Sequence, residues 1–306
     1  MKQFFKFLLA SFLGSALLLI VLFFLGFGAL LNSTTNTANI RPNSLLYMDL
    51  NYNIPDRTCE DNITNTLRGF NSESNDMSGM NDIIANIKAA AKDPNISGIF
   101  LELSSIGTST ANIEEIRNEL LRFRESGKFV ITYSENMSQG AYFLATAGDE
   151  IYINPDGMLD IHGMASQVIF YKKLLDKLDI EMQIVRGPNN KFKSAVEPYF
   201  LEKMSDANRE QMDKLLNSVW YQVLSDINKT RNISIKRINE LADKLALTFD
   251  ANLALEEGFI DGLYYRDQII ARIKELAGIE STKKINILTN SQYSQLRPAE
   301  ETYPDK

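Results

Sequence analysis

Two side chains in this 306-residue sequence stand in settings that could support nucleophilic and acid–base chemistry, Lys193 and Ser138. Lys193 lies in KFKSAVEPYF (191–200), a run that is otherwise largely apolar. A free lysine has a pKa of about 10.4 and is a poor base at neutral pH. Burial disfavours the charged form and can turn a lysine into a usable base. Phe192, Ala195, Val196, Pro198, Tyr199 and Phe200 could supply that burial, Ser194 could orient the amine, and Glu197 could instead hold it charged in an ion pair. On local grounds alone a surface lysine is the commoner outcome, and both readings stand. Ser138 lies in SENMSQGAYF (134–143), between an expected strand and an expected helix, with Gly140 two residues on. Backbone N–H groups at such a turn sit at the positive end of a helix dipole and can stabilise an oxyanion. The pattern is not the G-x-S-x-G elbow, and the plainer reading is an N-cap serine.

The other candidates are weaker. His162, in LDIHG (159–163), is the single histidine, so a Ser-His-Asp triad would have to use it with Asp160. Its spacing to Ser138 does not support that, and a structural role is the better reading. Cys59 is the single cysteine, which excludes an internal disulfide and the usual metal clusters. It reads as an incidental small apolar residue. No phosphate-binding glycine pattern occurs, RGP at 186–188 being too weak a signal. Neither a cofactor nor a metal is expected. The formal net charge of −7 argues against a nucleic-acid partner.

The elements that must position Ser138 and Lys193 follow from the apolar periodicity. Residues 7–31 carry no charge and are dominated by Leu, Phe, Ile and Val. Such a stretch exceeds the roughly 20 residues needed to span a bilayer core and outruns the h-region of a cleaved signal peptide, so it reads as an uncleaved anchor, with a cleaved signal the lesser reading. Lys2 and Lys6 precede it, so residues 1–6 are expected in the cytoplasm and the rest of the chain outside. Residues 32–44 read as a tether and 59–79 as a polar loop. Strands are expected at 45–50, 98–103, 129–133, 150–154 and 181–185, with one possible strand at 285–288. Helices are expected from about 80, from Asn112 with Glu115 as a capping-box partner, and at 139–147, 171–178, 235–245 and 267–277. Pro155, Asp156 and Gly157 read as a turn. Ser205 is a good N-cap for a long helix whose stripe of Met212, Leu215, Leu216, Val219, Trp220, Val223, Leu224 and Ile227 suits a core or a subunit interface. Alternation of strand and helix from about 80 to 190 predicts an α/β layer fold with a mainly parallel sheet.

Taken together, SENMSQGAYFLATAGDEIYINPDGMLDIHG (134–163), EMQIVRG (181–187) and KFKSAVEPYF (191–200) resemble, in order and spacing, the N-terminal half of the long, two-copy type of the signal peptide peptidase A (protease IV) family. The likeness covers the anchor and nearly all of 45–280. It includes ALEEGFIDG (254–262), which is similar to the A-x-x-x-G-L-I-D signature of Clp/crotonase-like domains, with Phe259 where Leu is usual. The resemblance implies a Clp/crotonase-like βα repeat domain at 45–280, the first of two copies, preceded by one transmembrane helix and followed by a linker, 281–306, towards a second copy. It also implies a serine endopeptidase that degrades cleaved signal peptides with a Ser/Lys dyad, anchored in the inner membrane with its catalytic domain on the periplasmic side, and forming a homo-oligomer. The K-S-A-V-E-P motif places the general base at Lys193 and not Lys191. The family's long members carry the nucleophile in the second copy, within an A-S-G-G-Y-type motif that this chain lacks. Ser138 occupies the equivalent turn of the first copy, where short members carry theirs. The chain is therefore expected to supply the base, with Ser138 the one internal candidate for the nucleophile. Two alternatives stay open: a non-catalytic oligomerisation half, and a crotonase-like acyl-CoA enzyme, the latter on fold analogy alone.

Overall fold

The computed structural model describes residues 2–33, 39–58 and 77–297, so Cys59 and most of the loop 59–79 lie outside the described residues. The chain divides into two compact units, Met1–Asn39 and Ile40–Lys306. The first is one helix, α1 (Lys2–Ser33). Within it Gln3–Phe24 has a mean hydropathy of 2.7 and is unburied. Its 22 residues rise about 33 Å, enough to cross a hydrocarbon core.

The second unit holds a six-stranded, all-parallel sheet among the described residues, in the order β5-β4-β3-β2-β1-β6. The strands are β1 (Ser44–Asp49), β2 (Ile96–Glu102), β3 (Phe129–Met137), β4 (Glu150–Leu159), β5 (Gly262–Leu263) and β6 (Ile287–Thr289). Helices α2 (Met80–Lys92), α3 (Thr110–Arg124) and α4 (Gln139–Ala145) fall between the first four strands, as the expected alternation requires. After β4 come the short α5 (Lys172–Lys177) and α6 (Glu197–Phe200), the long α7 (Asp206–Arg231), α8 (Ile235–Ala242) and α9 (Ala251–Glu256). Helix α10 (Arg266–Leu276) follows β5, and α11 (Asn290–Leu296) follows β6.

Strand side chains alternate between faces. One face offers Leu45, Phe100, Ile131, Tyr133 and Tyr152, which pack with Ile269 and Ile273 of α10 into one buried cluster. The alternate residues Leu46, Ile99, Val130, Ile151 and Ile153 are fully buried as well. Burial on both faces is the usual condition of a parallel sheet and explains why these strands read as near-continuous apolar runs. On α3, Ile113, Ile116, Leu120 and Phe123 are buried as their spacing predicts.

Several local expectations are corrected. The segment 181–185 forms no strand. Its apolar alternation is real, but the β4 edge is taken by β5 through Tyr152↔Gly262 and Ile153↔Leu263, and a strand exists only where another can pair with it. Val185 is 97% exposed as a result. Helix α3 starts earlier than expected: Ser109, not Asn112, is its N-cap, and the Ser109 side chain accepts the Asn112 N–H. Residues 155–157 do not end β4, which runs on to Leu159. The first part of the stretch read as a linker contributes β6 and α11, which close the sheet edge beside β1: Asn86 Nδ2 donates to Asn290 O at 2.8 Å and to Asn290 Oδ1 at 2.7 Å.

Candidate active site

Ligands of open parallel sheets gather outside the carboxyl ends of the strands, and Ser138 is the first residue beyond β3 at that end. Its backbone joins the neighbouring loops: the Ser138 N–H donates to Ser104 O at 2.9 Å, and Asp160 N donates to Met137 O at 2.8 Å. Its side chain is the N-cap of α4, accepting the Ala141 N–H at 3.4 Å. Among the described residues no side-chain base hydrogen-bonds to this hydroxyl. The loop after β2 is also committed. Ser104 N and Ser105 N both donate to Asn51 Oδ1, the second at 3.1 Å. Gly107 N donates to Tyr52 O at 3.1 Å. The amides of Ser104, Ser105 and Gly107 beside Ser138 thus already hold acceptors of their own chain.

Gln139, which the sequence reading passed over, clamps this turn to the chain beyond β4. Its Oε1 accepts from His162 N (3.0 Å) and Gly163 N (2.9 Å), and its Nε2 donates to Gly163 O (3.0 Å). Gly163 has φ +82°, a conformation that costs glycine little and other residues more. The clamp fixes His162 through its backbone, while the imidazole Nε2 lies 3.5 Å from Asp160 Oδ2 on a partly exposed rim. His162 therefore has its carboxylate but serves no triad with Ser138.

Lys193 sits elsewhere in the fold, on the long excursion between β4 and α7. The burial envisaged for it does not form within this chain: Lys193 is exposed. Its backbone is pinned, N–H to Asn190 O at 3.0 Å and C=O accepting from Arg186 Nη2 at 2.9 Å. Lys191 lies over the Phe192 ring, 4.8 Å from its centroid. Glu197 pairs with neither lysine. It is buried and accepts from Ser205 Oγ (2.6 Å), Ser205 N (3.2 Å) and Asn208 Nδ2 (2.9 Å). Ser205 is the expected N-cap of α7. Glu197 of the E-P turn is thus a bracket that ties the lysine turn to a helix start; the spacing of Glu197 to Ser205 was the available signal. Tyr171 N donates to Pro198 O at 2.7 Å, which holds the turn to the α5 segment. No hydrogen bond brings Ser138 and Lys193 together.

The segment 254–262 acts as a second bracket. Asp261 Oδ2 accepts the β4 amide of Ile151 at 2.7 Å and, with Oδ1, forms a two-pronged pair with Arg231 at 3.0 Å per bond. Arg231 Nε also donates to Gly258 O at 3.0 Å. The end of α7 is thereby locked to the β4–β5 edge. No cluster of three or more metal-ligating side chains occurs among the described residues.

Comparison with known proteins gives this geometry a context. The model of peptidase family S49 matches residues 122–280, which hold both Ser138 and the Lys193 turn. Protease 4 of Haemophilus influenzae is 32% identical over 219 residues, 69% of this chain and 35% of that protein. Protease 4 of Salmonella typhi is 36% identical over 173 residues, 56% of this chain and 28% of that protein. A putative signal peptide peptidase SppA of Enterococcus faecium is 22% identical over 63% of this chain and 55% of that one. The chain spans about a third of the length of the two Protease 4 relatives. Among solved structures, a mutant of a membrane-bound stomatin-specific protease aligns with a TM-score of 0.41 at 13% identity, covering 82% of this chain and 91% of that one.

Proposed function

The chain belongs to peptidase family S49, and from that premise we propose that it is the base-bearing part of a membrane-anchored serine endopeptidase acting on cleaved signal peptides. The observation that carries this reading is the Lys193 turn. Its backbone is held on both sides and bracketed to α7 by a buried carboxylate, yet its ammonium has no acidic partner among the described residues. A rigidly placed, unpaired lysine suits a group that serves a second surface. Covering such a lysine with apolar surface favours its neutral form. The neutral amine of Lys193 takes the proton from a serine hydroxyl as that oxygen attacks the peptide carbonyl, then gives it to the leaving amine. The serine belongs to a second copy of the βα fold, and Ser138 is the cap of α4. Extended apolar peptides are the substrates. Helix α1 anchors the protein in the inner membrane, and the second unit works on the extracytoplasmic side.

The test is cleavage of a synthetic signal peptide by the full-length protease. Lys193→Ala is expected to lower the rate by about 100-fold or more, while Lys191→Ala and Ser138→Ala leave it within a few-fold. Unchanged cleavage by Lys193→Ala refutes the base assignment. Loss of cleavage with Ser138→Ala, together with labelling of Ser138 by a fluorophosphonate, moves the nucleophile into this chain. A second reading, a non-catalytic assembly half, is favoured by the apolar side chains exposed along 169–185, among them Ile169, Leu174, Leu178 and Val185. It predicts assembly with cleavage indifferent to Lys193.

A further inference from the structure

At the amino ends of β1 and β6, opposite to the end that carries Ser138, residues 41–43 and 278–286 enclose a cavity of about 480 Å³. Its walls are tied down. The Ser44 hydroxyl donates to Arg41 O at 2.6 Å and accepts from Arg41 N at 3.0 Å and Asn286 Nδ2 at 2.7 Å. Leu45 N donates to Asn286 O at 2.9 Å, and Lys283 N to Glu280 O at 2.9 Å. Asn43 (φ +62°) and Gly278 (φ +64°) turn the two chain segments at the rim.

Three cations line this cavity, Arg41, Lys283 and Lys284, against one acid, Glu280, which pairs with Lys283 at 3.1 Å. Arg41 and Lys284 are exposed and have no acidic partner among the described residues. This concentration of positive charge belongs to a chain of net charge −7. Arg41 also stands only eight positions beyond Ser33, the last residue of α1. Basic residues just outside a membrane span are drawn to anionic leaflets over about one Debye length. A concave group of cations on a tied backbone adds what a loose basic tail lacks: a cavity of about 480 Å³ lined by three cationic side chains.

We propose that the Arg41–Lys283–Lys284 cavity binds the phosphate of an anionic phospholipid headgroup. The proposal rests on the reading of α1 as a membrane anchor.

The experiment uses the full chain in neutral detergent and counts retained lipid by native mass spectrometry. Short-chain phosphatidylglycerol is expected to be retained and phosphatidylcholine not. Removing cations with Arg41→Gln, Lys283→Gln and Lys284→Gln should weaken retention by about fivefold per charge. All three side chains are exposed, and an unchanged circular dichroism melt verifies that the variants fold. Equal retention of the two lipids, or undiminished retention by the triple variant, overturns the proposal. Displacement of the lipid by equimolar inorganic phosphate overturns it too, since the site would then be one for free phosphate. The anchor is tested separately by carbonate extraction of membranes. Release of the chain there refutes the anchor, and the lipid counts still report on the cavity.

Discussion

Glu197 is 2% exposed and accepts three hydrogen bonds, all from the first turn of α7. Burial alone would raise its pKa. The hydrogen bonds from Ser205 and Asn208, with the charge of Arg186, outweigh that and hold the carboxyl below the ordinary glutamate range. A depressed folded-state pKa contributes stability that is complete above the unfolded value of about 4.3 and is lost as the pH falls through the folded value. Glu197→Gln puts an amide where three donors converge and is expected to cost about 1–3 kcal/mol at pH 7. Urea midpoints at pH 7 and at pH 3 check both points: the gap between parent and variant should be smaller at pH 3 than at pH 7. A gap independent of pH would mean that the ionised carboxylate is not what holds the turn. The residue reading had offered Glu197 to Lys193 as an ion-pair partner. Identity and spacing allowed that, and only the fold showed that Ser205 and Asn208 reach it first.

At the scale of elements, the instructive case is β4. Its P-D-G was legible as a turn signal, and a local distortion is indeed there. Ser134↔Ile153 and Asn136↔Met158 pair on either side of it, so Glu135 of β3 faces four residues, 154–157, of β4. The chain bulges and then resumes the same strand, because Asn136 and Met137 still offer a ladder edge to Met158 and Leu159. This extension carries Asp160 up beside Ser138. The bulge needs glycine: a Cβ at Gly157 would stand 2.1 Å from Glu135 O. Gly157→Ala is therefore expected to cost about 1–3 kcal/mol through overpacking and to lower Tm by several degrees. Gly187→Ala, where a Cβ meets nothing within 4 Å, should leave Tm unchanged; equal Tm values for both variants would rule out the crowding argument. Helix α7 divides in the same way. Its expected stripe holds as core at Val223, Leu224 and Ile227 but leaves Leu215 exposed, because periodicity marks an apolar face without saying what covers it.

For the whole molecule, the apolar side chains that this unit does not bury decide the next experiment. Val185, Leu174, Leu178 and Leu215 are all exposed, and self-association would give them cover. Self-association of the full chain is expected in sedimentation velocity, rising with concentration. The double variant Val185→Asp, Leu215→Asp should shift it to the monomer with little loss of Tm, since both side chains are exposed. A monomer at every concentration would remove the assembly reading.

The sequence by itself determined the apolar N-terminal helix, the alternation of strands and helices, the parallel sheet, the caps at Ser138 and Ser205, and the two motifs of a peptidase family. These are properties of local composition and spacing, where side-chain period and hydrogen-bonding capacity act over a few residues. Tertiary structure decided what those residues meet. It gave Asn51 to the amides after β2, Gln139 to the loop at His162, Glu197 to α7 and Asp261 to Arg231, and it left 181–185 without a strand to join. Each outcome depends on which of several competent partners arrives within hydrogen-bonding distance, and that is a property of the packed chain.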